Sequence, residues 1–118
     1  MAKENRIDTI CVLRECHDVC LKTFALHCMK VGGHHMAREH IRRMEACIEL
    51  CNLTANFLLR HSPLTQELCD LTADVCKQCA ASCDGMDDSK MNACVCTCEC
   101  AVEACLNESH HLRAMVAA

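Results

Sequence analysis

The sequence predicts an all-α protein that folds as an up-down-up-down antiparallel four-helix bundle with a core lined by cysteine. Two observations support this prediction. Apolar residues and cysteines recur every three or four positions through four long segments, and the three glycines fall between those segments while the one proline begins the third. A chain of 118 residues has room for one domain. We therefore expect a single domain over 1–118, with helices near 5–31, 35–61, 63–83 and 89–113.

Glycine and proline mark the three predicted connections. Gly32 and Gly33 should end the first helix, because glycine easily adopts the left-handed conformation that follows a helix. Ser62 and Pro63 match an N-cap and the first residue of the third helix. The last connection contains Gly85, and either Asp88 or Ser89 should be the N-cap of the fourth helix. Such short connections favour antiparallel neighbours.

Each predicted helix has one inward face with the spacing of a bundle seam. In the first helix this face contains Leu13, Cys16, Cys20, Phe24 and His27. In the second it contains His40, Met44, Cys47, Cys51, Thr54, Leu58 and His61. In the third it contains Thr65, Cys69, Thr72, Cys76, Cys79 and Cys83, and in the fourth Met91, Cys94, Cys98, Ala101, Cys105 and Leu112. Cysteine thus occupies positions that usually carry leucine or isoleucine. A buried cysteine also packs as a small hydrophobe, but it fills less volume than leucine, so packing alone does not account for so many.

The cysteine content indicates a metal-binding protein in a reducing compartment. Fifteen of the 118 residues are cysteine, above the roughly 8–10% that marks a cysteine-defined scaffold. Because fifteen is odd, they cannot all pair within one chain. The first residues lack an apolar signal core, and we expect a cytoplasmic location with reduced thiols that hold metal.

Other partner classes are disfavoured by composition. The net charge of −4 argues against a nucleic-acid partner, and two aromatic residues are too few for base stacking. The chain has no apolar run of the roughly 18 residues that a membrane span requires. We therefore expect no nucleic-acid or membrane partner.

Five cysteine pairs have the spacing C-x-x-x-C, and this spacing indicates Cu(I). They are Cys16/Cys20, Cys47/Cys51, Cys79/Cys83, Cys94/Cys98 and Cys96/Cys100. Residues four apart on a helix have Cβ atoms about 5–6 Å apart, so two sulfurs can hold one ion in the near-linear arrangement that suits this soft cation. Structural zinc usually takes C-x-x-C pairs in turns, and only Cys76/Cys79 has that spacing. One Cu(I) balances one thiolate, so we expect about one ion per cysteine, on the order of fifteen.

All fifteen cysteines are candidate ligands, but four of them do not fit the inward faces. Cys11 and Cys28 lie off the stripe of the first helix. Cys96 and Cys100 point roughly 160–200° away from the other pair on the fourth helix, which places them at a helix or subunit boundary or on the surface.

Histidine and methionine concentrate at the end of the bundle where the first and third connections meet. This group comprises His27, Cys28, Met29, His34, His35, Met36, His40, Met86 and Met91. We interpret that end as the copper entry, where weaker ligands pass ions to the thiolates. His40 and Met44 are the best candidates because they lie on the seam one and two turns from Cys47 and Cys51, and His27 is a further candidate ligand. His34 and His35 follow two glycines, and we expect them to be solvated loop residues.

The helical cysteine pairs, together with the dense stretch C-V-C-T-C-E-C-A-V-E-A-C at 94–105, resemble those of the cytosolic copper storage proteins over nearly the whole chain. The resemblance implies a homotetramer of bundles, each of which stores many Cu(I) ions along its axis and takes them up at one open end. It also implies copper ions as partners, with copper chaperones or small-molecule carriers to deliver them.

Three other functions are weighed against storage. A zinc or cadmium thiolate sink of the metallothionein type would be loop-rich and without helical seams. An iron–sulfur electron carrier would need C-x-x-C-x-x-C runs, which are absent. A thiol oxidoreductase needs an exposed, low-pKa cysteine beside a strand-helix turn, and no strand pattern is present. We expect no enzymatic activity.

Overall fold

Four long helices account for most of the computed structural model, which describes the backbone of residues 2–117 and the side chains of residues 6–116. Helix α1 spans Ala2–Thr23 and continues through a π-helical turn, Phe24–Cys28, and a final α-helical turn, Met29–Val31. A 3-10 turn, Gly33–Met36, leads into α2, which spans Arg38–Leu59. Helices α3 and α4 span Thr65–Asp84 and Ser89–Ala117. No β-strand occurs in this part of the chain, and the all-α prediction is confirmed.

The four helices form a closed ring in which each packs against two others. Helix α1 packs against α2 and α4, and α3 packs against the same two helices. Polar contacts support the antiparallel order: Arg14 donates hydrogen bonds to Asn52 and Asn56 across α1 and α2, and Ser109 donates one to Asp70 across α4 and α3. The result is a rod of 50 × 19 × 19 Å, as expected for a four-helix bundle.

A π-helical turn changes which side chains of α1 face the core. A π turn inserts one residue into the α-helical register, so residues beyond Thr23 face a different direction from the one that regular spacing predicts. Cys28 becomes fully buried, whereas Phe24 and His27 are only half-buried. The prediction that Cys28 lies off the core stripe is therefore wrong, because it assumed an uninterrupted α-helix.

The first connection agrees with its prediction, and the second differs. Gly32 and Gly33 have positive φ values of +71° and +57°, which glycine adopts at the end of a helix without a steric penalty. Ser62 does not cap the third helix at Pro63, because the chain makes one more turn and α3 begins at Thr65. The Ser62 hydroxyl accepts a hydrogen bond from the Leu64 N–H at 3.2 Å, and the Ser62 carbonyl accepts one from the Thr65 hydroxyl at 2.6 Å.

The end of α2 differs from its prediction, and the start of α4 agrees with one of its predicted alternatives. Helix α2 ends at Leu59. His61 therefore follows the helix and is exposed, instead of lying on its inward face as predicted. At the start of α4, Asp88 is the N-cap, because its Oδ1 accepts a hydrogen bond from the Met91 N–H at 2.8 Å. Asp88 is one of the two N-caps that the sequence predicts.

Candidate metal centre

Most of the cysteines lie inside the bundle. Twelve of the fifteen are buried and three are exposed, and all fifteen are free thiols. The buried set comprises Cys16, Cys20, Cys28, Cys47, Cys51, Cys69, Cys76, Cys79, Cys83, Cys94, Cys98 and Cys105. Because every helix contributes to this set, the sulfurs line the axis of the bundle, and we refer to these twelve residues as the sulfur column.

The middle of the sulfur column contains two overlapping groups of four thiols. Within each group all Sγ atoms lie within 4.8 Å of one another. One group is Cys16, Cys47, Cys51 and Cys76, and the other is Cys16, Cys20, Cys47 and Cys98. Cys16 and Cys47 belong to both, so the two groups form one continuous cluster that draws on all four helices.

Sulfur–sulfur distances in this cluster are short. The Sγ atom of Cys47 lies 3.6 Å from that of Cys76 and 3.7 Å from that of Cys98. On the next turn, Cys51 and Cys76 are 3.7 Å apart. A thiolate at Cys47 therefore has neighbours on two other helices with which it could share a soft cation.

At the end of the bundle that the sequence predicts to be the copper entry, the column finishes in a group of mixed ligands. The Sγ atom of Cys28 lies 3.8 Å from Sδ of Met44, 3.7 Å from Sδ of Met91 and 4.0 Å from Nε2 of His40. Met91 lies on the predicted seam and in the predicted entry group, although it is not one of the best candidate ligands there, and the π-helical turn brings Cys28 to it. We call Cys28, His40, Met44 and Met91 the entry cluster.

The His40 imidazole is held with one nitrogen towards this cluster. Its side chain is buried, and Nδ1 shares a hydrogen bond of 2.7 Å with the Ser82 hydroxyl. Burial lowers the pKa of His40, which favours the neutral ring. A neutral imidazole with Nε2 beside the Cys28 sulfur is a suitable ligand for a metal ion.

Towards the opposite end, a layer without cysteine interrupts the column. Its four fully buried residues are Leu13, Thr54, Thr72 and Ala101, each three or four positions from a buried cysteine. The Thr54 and Thr72 hydroxyls share a hydrogen bond of 2.8 Å, so these polar groups satisfy each other. Cys69 and Cys105 lie beyond this layer, and the interaction with Cys69, followed by burial, raises the pKa of Cys105.

The thiols in the cluster cannot all ionise together. Hydrogen bonds with Cys16 and Cys47, followed by burial, raise the pKa of Cys20. The hydrogen bond with Cys20 is the main cause that lowers the pKa of Cys16. One thiolate is thus stabilised by a neighbour that keeps its proton, and further ionisation requires a cation in the column.

Three side chains form a second group at the rim of the entry end. His27 and His35 place Nε2 at 3.1 Å and 2.6 Å from the same oxygen, Oδ2 of Asp88. We call these three residues the rim triad. The prediction that His35 is a solvated loop residue is wrong, because the turn after Gly33 directs its side chain against Asp88 and leaves it 13% exposed. His34 is exposed, as expected.

Three predicted ligands lie outside the core. Cys11, Cys96 and Cys100 are exposed on α1 and α4, which agrees with the surface alternative for the last two. Among the described residues, the groups of close metal-ligating atoms include none of the three.

In the part of the chain that the structure describes, no helix has both the length and the apolar character needed to cross a membrane.

Comparisons with known proteins agree with the arrangement of this site. A family model described as copper storage protein (Csp) matches residues 2–110. A cysteine-rich protein of Bacillus subtilis strain 168, YhjQ, described as uncharacterised, is 29% identical over 80 residues, which cover 68% of this chain and 73% of that protein.

Three solved structures are similar over most of their length. The Nmul_A1745 protein of Nitrosospira multiformis has a TM-score of 0.86 and 31% identity, covering 92% of this chain and 97% of that one. A structure described as Cu(I)-bound copper storage protein BsCsp3 has a TM-score of 0.83 and 26% identity over 89% of this chain and 98% of that one. Apo copper storage protein 3 of Bacillus subtilis has a TM-score of 0.78 and 26% identity, with 86% and 96% covered.

We predict that the reduced, metal-free protein loses stability at alkaline pH through Cys28. Burial, together with negative charge at Cys94 and Asp88, raises the pKa of Cys28 from 9.0 to about 11. The unfolded chain therefore releases this proton at a lower pH than the folded protein does. The contribution to the free energy of unfolding is complete below pH 9 and is lost as the pH rises towards 11.

Urea unfolding between neutral pH and pH 11 measures this effect, with Cys28→Ala as the comparison. The variant should show a shallower alkaline decline than the parent protein. Parallel declines in the two proteins would contradict the assignment to Cys28.

Proposed function

Because the chain belongs to the copper storage protein family, we propose that it stores many Cu(I) ions on the thiolates of the sulfur column. The observation that carries this proposal is the continuous cluster at Cys16 and Cys47, where two groups of four sulfurs share these two members and together draw on all four helices. The similar protein of known structure that is described as Cu(I)-bound supports the choice of metal.

Charge balance explains why Cu(I) suits this interior. Each thiol loses a proton when it binds metal, and each monovalent ion restores the charge that the proton carried. The column can therefore fill without the penalty for uncompensated buried charge. A divalent ion such as Zn(II) would need two thiolates to balance it, so the same sulfurs would hold fewer ions.

The entry cluster gives the column a mouth of weaker ligands. Thioether sulfur and neutral imidazole are uncharged, so at Met44, Met91 and His40 an ion can bind without waiting for a proton to leave. The Cys28 sulfur touches both methionine sulfurs. An incoming ion can pass from these ligands to Cys28 and then to the deeper thiolates.

The remaining expectations are part of the same proposal. Cys11, Cys96 and Cys100 remain outside the storage column, and the protein acts as a store for copper and not as an enzyme. Fifteen free thiols suit a reducing compartment, so we place the protein in the cytoplasm, supplied by chaperones or small copper carriers. The family suggests a homotetramer, which light scattering of the reduced protein would test against its chain mass of 13.1 kDa.

Storage predicts a high capacity for Cu(I). Anaerobic titration of the reduced protein against a competing chelator should give about one ion per buried thiol, on the order of twelve per chain. The same titration with Zn(II) should give far fewer ions. Only two or three tightly held Cu(I) ions would rule out storage.

Two alanine variants provide the matched comparison for that titration. Cys47→Ala removes a sulfur common to both four-thiol groups and should lower the capacity. Cys11→Ala removes an exposed sulfur and should leave the capacity unchanged. Equal losses in the two variants would contradict the assignment of the column.

His40→Ala is expected to slow copper loading while leaving the capacity nearly unchanged. The substitution removes the neutral nitrogen ligand at the mouth but none of the thiols deeper in the column. Stopped-flow transfer of Cu(I) from a chelator measures the rate, with His34→Ala as an exposed control at the same end. Uptake by His40→Ala at the parental rate would remove this residue from the entry path.

A further inference from the structure

The rim triad is not explained by the storage of copper on sulfur. It contains two imidazoles and one carboxylate and no thiol, and its ligand atoms lie within 4.8 Å of one another. The three residues come from separate segments: His27 from the π-helical turn, His35 from the 3-10 turn, and Asp88 from the N-cap of α4. The fold therefore brings Asp88 to two histidines that lie 61 and 53 residues before it in the sequence.

The Asp88 carboxylate divides its two oxygens between two tasks. Oδ1 accepts the hydrogen bond from the Met91 N–H that caps α4, and Oδ2 faces both imidazoles. The cap hydrogen bond orients the carboxylate and leaves the second oxygen available, in the manner of the outer contacts that orient metal ligands.

The two nitrogen–oxygen distances of the triad are near or below those of a tetrahedral site. Zinc bonds of about 2.0–2.1 Å place neighbouring tetrahedral ligands about 3.3 Å apart. The two nitrogen–oxygen distances are 3.1 Å and 2.6 Å, so only a small opening would admit an ion. The two imidazole rings stand nearly perpendicular, at 85°, with centroids 5.3 Å apart.

The chemistry of the ligands selects a different metal from that of the column. Imidazole and carboxylate suit divalent first-row ions, whereas thiolate and thioether select Cu(I). The side chains of His27, His35 and Asp88 are 21%, 13% and 29% exposed, so the fourth coordination position is open to water. Cu(I) therefore partitions into the column, and the rim remains available to a divalent ion.

We propose that His27, His35 and Asp88 bind one Zn(II) ion at the rim of the bundle, separate from the sulfur column. The ion joins the connection between α1 and α2 to the start of α4. His27 is adjacent in the chain to Cys28, and Asp88 bonds the backbone of Met91, so the site borders the entry cluster. The proposal does not depend on copper storage.

The test compares zinc capacity in four proteins: the parent, His35→Ala, Asp88→Asn and His17→Ala. Asparagine retains an oxygen that can cap α4, and His35 lies outside the four long helices, so both variants should fold. His17 is the matched control, because it also lies beside a carboxylate: its Nδ1 is 2.8 Å from Oδ1 of Asp18. Among the described residues, no third ligand atom completes a metal-binding group with this pair.

Each protein is titrated with Zn(II) alone under reducing conditions against a zinc-chelating dye. Zinc held by the core thiols is common to all four proteins and cancels in the comparison. We expect the parent and His17→Ala to bind one more Zn(II) per chain than the two triad variants. Equal zinc capacity in all four proteins would mean that the triad is only a hydrogen-bonded group and would overturn the proposal.

Titration with Co(II) in place of Zn(II) identifies, from the absorption spectrum, the ligands of the ion that the triad variants no longer bind. The difference spectrum between the parent and Asp88→Asn should contain ligand-field bands without sulfur-to-cobalt charge transfer, because the triad has only nitrogen and oxygen ligands. A difference spectrum dominated by sulfur-to-cobalt charge transfer would assign the lost ion to thiolates and would also overturn the proposal.

Discussion

The cost of negative charge on buried sulfur is the constraint on which this protein depends. Twelve thiols lie together inside a bundle, where an uncompensated thiolate would destabilise the fold by several kcal/mol. The metal-free protein avoids that cost by keeping most of the sulfurs protonated, as the raised pKa of Cys20 indicates. In the proposed storage, copper replaces protons one for one, so neither the empty nor the filled interior would carry a large net charge.

This constraint separates the residues that bind metal from those that stabilise the bundle. The layer of Leu13, Thr54, Thr72 and Ala101 contains no ionisable group, and its two hydroxyls pair with each other. On the outside, Arg14 joins α1 to α2 through asparagine side chains. Because these contacts involve no sulfur, the helices can pack in the same order with or without metal, and the sulfur column is already assembled before any ion binds.

Most of the fold was predictable from the sequence, because the spacing of cysteines has the period of a helix and the glycines fall between the helices. Membership of the copper storage family is likewise confirmed. The errors have local causes. The burial of Cys28 depends on a π-helical turn that has no composition signal. The start of α3 depends on an extra turn after Ser62, and the partial burial of His35 depends on the path of a loop. Patterns with a fixed period cannot detect a one-residue change of register or a contact made across a loop.

The π-helical turn Phe24–Cys28 has a consequence for how such proteins vary. A single inserted residue rotates everything that follows it by about 100°, and here Gly32 ends the helix soon afterwards, so only one turn is rotated. That rotation supplies a sulfur at the mouth and leaves the pairing of the four helices intact. The number of ligands at the entrance can therefore change by insertion or deletion of one residue, without substitution of any cysteine and without any alteration to the deeper part of the store.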